Sequence, residues 1–158
     1  MPARYDIVSN QGETLNLHIL YTDTSDSAID LKQYTAEMQV RRSLLGSYTL
    51  LHMTGSTAGF TSGVTAGSTF SSLGTKGYTG GVTGGIFLNR NAGNSGSQTG
   101  GILIIAGATA TSLVPHGKHI YDLELKYTPT GSVTRLLDGR FECPGEVSRW
   151  KLKLLTTQ

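Results

Sequence analysis

His116 and His119, in the run HGKH, are by type the residues best suited to bind a metal. Imidazoles this close hold a transition metal when Cys, Asp or Glu completes the set, but here a glycine turn separates them and no such ligand stands beside them. We read them as a surface-loop residue and a strand-start residue. Asp23, Asp26 and Asp30 lack the alternate-residue spacing and closing Glu of a calcium loop, so turn chemistry accounts for them. The single Cys143 precedes Pro144 at the end of an apolar run, a place for a buried small residue rather than an activated thiolate. Glu142 and Glu146 are separated by a turn, which spoils them as paired carboxylates. Ser, His and Asp are all present, but no Gly-x-Ser-x-Gly elbow lies between a strand and a helix. The expectation is a chain with no catalytic residue, metal, cofactor or small-molecule substrate.

The stretch TGSTAGFTSGVTAGSTF spaces Gly55, Gly59, Gly63 and Gly67 evenly, as small residues are spaced where membrane helices approach closely. That motif has meaning only within a long apolar segment, and the spacers here are Ser, Thr and Ala. A phosphate cradle fails as well, because Lys76 is followed by Gly77 rather than Ser or Thr, and no helix pattern follows Gly85. Between Thr54 and Gly101 only Lys76 and Arg90 are charged. Such composition buries little against a large backbone entropy, which predicts an inserted loop region over 54–101. Two readings of it stand: a mobile loop, or a segment ordered by packing on a neighbouring subunit. Phe60, Val64, Phe70, Leu73, Tyr78 and Val82 favour the second, since pure linkers do not carry aromatics at such intervals.

The elements on either side read as strands. In ETLNLHILYTD, Leu15, Leu17, Ile19 and Tyr21 fall on one face and Asn16, His18 and Thr22 on the other, with Leu20 the exception. QYTAEMQVRRS turns Tyr34, Ala36, Met38 and Val40 inward and Thr35, Glu37, Gln39 and Arg41 to water. A further short strand covers Tyr48 to Met53, and Ile102 to Ile105 suit a strand buried on both faces. ATATSLVPHGKH offers a helical turn or loop. HIYDLELKY points Tyr121, Leu123, Leu125 and Tyr127 one way, TPTGS turns, and SVTRLLDGRFEC returns as the second arm of a hairpin. Finally Trp150, Leu152 and Leu154 alternate with Arg149, Lys151 and Lys153. Strands throughout and no long helix predict an all-β fold, a single antiparallel β-sandwich over 1–158 carrying the 54–101 insertion and a C-terminal interaction segment at 150–158.

Composition fits one domain. The 158 residues are enough to bury roughly 70% of an unfolded chain's surface. Glycine supplies 21 positions and charged residues only 15%, below the usual quarter or so, which marks a loop-rich, weakly charged chain. The formal charge of +2 gives no concentrated basic face for nucleic acid. One cysteine makes no internal disulfide. MPARYDIVSN lacks the apolar core of a signal peptide, and no apolar run has transmembrane length, so a soluble protein made in a cytoplasm with no membrane partner is expected.

Two segments resemble a known family. IDLKQYTAEMQVRRS resembles the "DLTGYTARMQVR" strand, and HGKHIYDLELKYTPTGSVTRLLDGRFECPGEVSR resembles the "aGrYvYDLELTdpdGtvtrLLeGtftvsPEVTR" ending, of small β-sandwich domains in tailed-bacteriophage virions, similar to the amino-terminal domains of lactococcal-phage baseplate upper proteins. The match covers roughly 6–40 and 101–149, so the glycine-rich middle lies outside it. Family members have a short loop there and end before Trp150 to Gln158. The residues that carry the match are architectural: Tyr121 and Leu123 fill the interior, Gly139 permits a bulge or close strand approach, and Asp122 pairs with Arg135 across the hairpin for about 0.2–1 kcal/mol.

The resemblance implies a virion structural protein of the tail or baseplate that works by assembling, as a homo-oligomer and with other virion structural proteins such as ring or fibre components. The contact residues expected are Phe60, Phe70 and Tyr78 in the insertion and Trp150, Leu152 and Leu154 in the C-terminal segment, with Trp150 the anchor. Trp150, Leu152 and Leu154 equally suit the last strand of this domain's own sheet. Alternatives are a head decoration protein bridging capsomers, and a host-surface carbohydrate-binding module using Tyr48, Phe60, Phe70 and Tyr78.

Overall fold

The computed structural model describes residues 1–45, 49–56, 63–66, 84–93 and 96–145. In chain order the elements are β1 (Ala3–Arg4), β2 (Ile7–Val8), β3 (Leu15–Leu20), β4 (Tyr34–Arg41), β5 (Thr49–Ser56), β6 (Gly63–Ala66), β7 (Gly84–Arg90), β8 (Ser97–Ala106), the helical turn α1 (Ala108–Ser112), β9 (Gly117–Tyr127) and β10 (Val133–Cys143). They form an all-β sandwich of a seven-stranded sheet, ordered β1–β10–β9–β4–β5–β6 with β2 also on β10, and a three-stranded sheet ordered β3–β8–β7.

The period-two runs set the layers. Ala36, Met38 and Val40 of β4, Leu123 and Leu125 of β9 and Phe141 of β10 are buried, while their alternates lie on the outer face. From the smaller sheet Ile86, Leu88, Ile102 and Ile104 meet them. Leu103 is also fully buried, so β8 is covered on both faces as its apolar run implies. The β9–β10 hairpin closes at the expected TPTGS turn, where the Gly131 N–H donates to the Tyr127 carbonyl at 2.8 Å and Gly131 adopts φ 71°, a conformation glycine reaches without strain.

The structure corrects the sequence reading in two places. The insertion expected over 54–101 is shorter at its C-terminal end, because Gly84–Arg90 and Ser97–Ala106 are strands of the smaller sheet and Ile86 and Leu88 are core. Gly55 is likewise no slack residue. It lies in β5, and a Cβ there would sit 1.6 Å from the Ile86 carbonyl oxygen, so its lack of a side chain is what lets the two sheets close on each other. His119 stands near the start of β9, as expected, and is 5% exposed inside the sandwich, with Nε2 donating to the Pro115 carbonyl at 2.7 Å. His116 is exposed as expected.

The N-terminal decapeptide supplies an unforeseen element. β1 and β2 run parallel to β10, pairing Ala3 with Leu137 and Ile7 with Phe141. At the other end of the fold, Asn89 in left-handed conformation (φ 53°) accepts from the Leu31 and Gly100 amides at 3.1 and 3.0 Å and donates to Asp30 at 2.7 Å, tying the β3–β4 connection to the smaller sheet. That bond, with the Lys32 amide after it, draws the Asp30 carboxyl below its ordinary range.

Candidate functional site

The outer face of the larger sheet carries a cleft of about 500 Å³. Its floor follows from strand register. Glu37 of β4 stands opposite Glu124 of β9, which stands opposite Arg135 of β10. One step along, Gln39 faces Asp122, Asp122 faces Asp138, and Asp138 faces Arg4 of β1. A further step brings Arg41, Ile120 and Arg140 into line. Leu44, 87% exposed, lies at the rim.

Two like-charged pairs placed directly across strands would loosen a sheet, so the counter-charges matter. Arg135 lies 3.1 Å from Glu124 and 3.5 Å from Asp122, which realises the expected Asp122–Arg135 pair and adds a second carboxylate to it. The bulge between Arg135 and Leu137 aims the guanidinium at both. On the other side His52 of β5 bonds Glu37 at 3.0 Å. Along β4 a chain of side chains completes the face: Arg41 Nε donates to Gln39 Oε1 at 2.9 Å, and Gln39 donates in turn to Glu37. Burial pushes the Asp122 carboxyl above its ordinary range, with Arg135 opposing the shift and Glu124 reinforcing it.

Both signs of charge therefore stand close together on rigid strands in a shallow concavity. Such a surface recognises a polar partner of complementary pattern and sets its register. No activated nucleophile lines it. Burial pushes the Cys143 thiol up, and that side chain sits on the inner face against the Val114 carbonyl at 3.8 Å. Burial, followed by the Asp6 carboxylate, holds the Tyr121 phenol protonated well above its ordinary range. Among the described residues, no three His, Cys, Asp or Glu side chains gather to hold a metal ion.

The contact residues expected from the sequence, Phe60, Phe70, Tyr78, Trp150, Leu152 and Leu154, all lie outside the described residues, as does Tyr48. The cleft escapes sequence reasoning except for its Asp122–Arg135 pair. Its signal is the charged alternates of three strands, and only the pairing of β4 with β9 brings them together. No protein-family model and no curated protein matches this chain.

Proposed function

We propose that this chain is a structural module of a bacteriophage virion, working in the tail or baseplate by docking to neighbouring subunits and not by transforming a substrate. One observation carries the reading. The two quoted segments that resemble virion sandwich domains, far apart in sequence, hold the adjacent strands β4, β9 and β10, with β4 and β9 in register from Tyr34 opposite Tyr127 to Arg41 opposite Ile120. The meeting of the two segments in one sheet supports the reading. The charged cleft lies on that same sheet and offers a docking face, where many copies in a particle would supply avidity that no single contact provides.

Quantitative mass spectrometry on purified particles, with heads and tails separated, tests the reading. A few to a few dozen copies in the tail fraction are expected. Hundreds in the head fraction would replace the tail assignment with head decoration, and absence from purified particles would overturn the virion role.

A further inference from the structure

The charges of the outer-face cleft divide into two sets. Those towards β4 and β9 are spent on one another: Glu37 bonds His52 and Gln39, Arg41 reaches back to Gln39, and Asp122 and Glu124 share Arg135. Those on β1 and the second half of β10 are not. Among the described residues the guanidinia of Arg4 and Arg140 have no hydrogen bond or ion pair, although Asp138 stands opposite Arg4 and the outer-facing Asp138 and Glu142 flank Arg140 along β10. Asp6, another acid close by, accepts from the Arg140 backbone amide at 2.9 Å and leaves the guanidinium alone. Both arginines are exposed, and both line the cleft. One strand and two residues separate them, about 8 Å between Cα atoms, so two side chains of arginine length can close on one anionic group. The surface beside them is apolar, with Ile120 opposite Arg140 and Leu44 at the rim.

We propose that Arg4 and Arg140 receive a carboxylate carried by an extended segment of a neighbouring protein, with the apolar side chains next to it seated on Ile120 and Leu44. The inference deepens, and rests on, the reading of the cleft as a docking face. Charge selects the occupant first. Glu37, Asp122, Glu124 and Asp138 line the same cleft, so a polyanion such as a nucleic acid or a sulfated polysaccharide meets repulsion along it, whereas a single carboxylate at the arginine end does not. Size selects it next, since about 500 Å³ is room for several side chains, more than a lone inorganic anion fills. The chain itself is a poor source, because the residues outside the description hold one acidic side chain, Glu146. A guanidinium takes a carboxylate through two parallel N–H···O bonds, which fixes direction as well as charge.

Arginine Nε–Hε signals of the full chain, followed by NMR during titration with the peptide acetyl-Ser-Leu-Glu-Leu-Ser-amide, test this. Saturable shifts at Arg4 and Arg140 are expected, with the matching Gln peptide at least about ten-fold weaker. Arg4→Gln with Arg140→Gln alters two exposed side chains and should weaken binding at least about ten-fold at an unchanged melting temperature. Glu146→Gln should bind as the parent does. The proposal is overturned by a peptide that gives no saturable shift, by equal binding of the Glu and Gln peptides, or by binding that survives the double substitution. Tighter binding of glucuronate, inorganic phosphate or a short oligodeoxynucleotide would overturn it too, as would binding that improves in Glu146→Gln, which would make the chain's own glutamate the occupant. A failed titration for a chain found in the tail fraction removes the carboxylate site and leaves the virion reading, and absence from particles with the peptide bound as expected does the reverse.

Discussion

The Tyr121 hydroxyl donates to the Tyr5 carbonyl at 2.6 Å, and that carbonyl occupies the space a side chain at residue 139 would need. Gly139 stands directly opposite Tyr121 in the β9–β10 ladder, and a Cβ there would come within 2.1 Å of the Tyr5 oxygen. One absent side chain thus lets the N-terminal strap run close alongside β10 and be tied to the core.

Gly139→Ala should displace Tyr5 and lower unfolding free energy by about 1–3 kcal/mol, the usual range for an overpacked site. Tyr121→Phe should lower it by about 1 kcal/mol through loss of the hydrogen bond. Because both act on Tyr5, the double variant should lose less than the sum, a coupling readable by urea denaturation of all four chains.

Gly55→Ala should be more damaging than Gly139→Ala. The clashing atom is the Ile86 carbonyl at 1.6 Å, part of a core strand in the opposite sheet, whereas Tyr5 lies on a short edge strap that can shift. The urea midpoint should fall further than for Gly139→Ala. A Gly55→Ala chain as stable as the parent would contradict the sheet contact.

Asp122 binds its proton more tightly when folded than when unfolded, since burial raises its pKa. Between the two pKa values the folded state holds more protons, so this group's contribution to stability falls as pH rises through the Asp range and into the region just above it. Asp122→Asn abolishes that titration. Relative to the parent it should therefore be more stable at pH 7 than at pH 3, whatever constant offset the lost Arg135 contact adds. Thermal melts at the two pH values check the sign.

Cys143 is 1% exposed and its thiol is held protonated by burial. A thiol reagent should leave the folded chain unmodified and label one site per chain once urea unfolds it. Labelling under native conditions should proceed only at the rate at which the sandwich opens.

Strands with one wet face were legible from period two alone, which is why β3, β4 and β9 agree with the sequence down to individual faces. β7 hides because Ile86, Phe87 and Leu88 are apolar in succession behind two glycines, a pattern that arises when a strand is covered on both sides. β1 and β2, two residues each, are too short to show any period. In the cleft, Asp122 and Arg135 belong to one hairpin and their pairing follows from its turn. The facing of Glu37 with Glu124 depends on a register between strands distant in sequence, which no local pattern encodes.

The parallel pairing of β1 and β2 with β10 also sets an order of events during synthesis. Ile7 and Val8 have no strand partner until Phe141 and Glu142 exist. At about 5–20 residues per second a ribosome needs on the order of ten seconds to cover that interval. Throughout it, the apolar start of the chain waits unpaired while β3 to β9 assemble. Among the described residues the last strand made is thus the one that captures the first, and a chain arrested before β10 would leave Ile7 and Val8 without their strand partner.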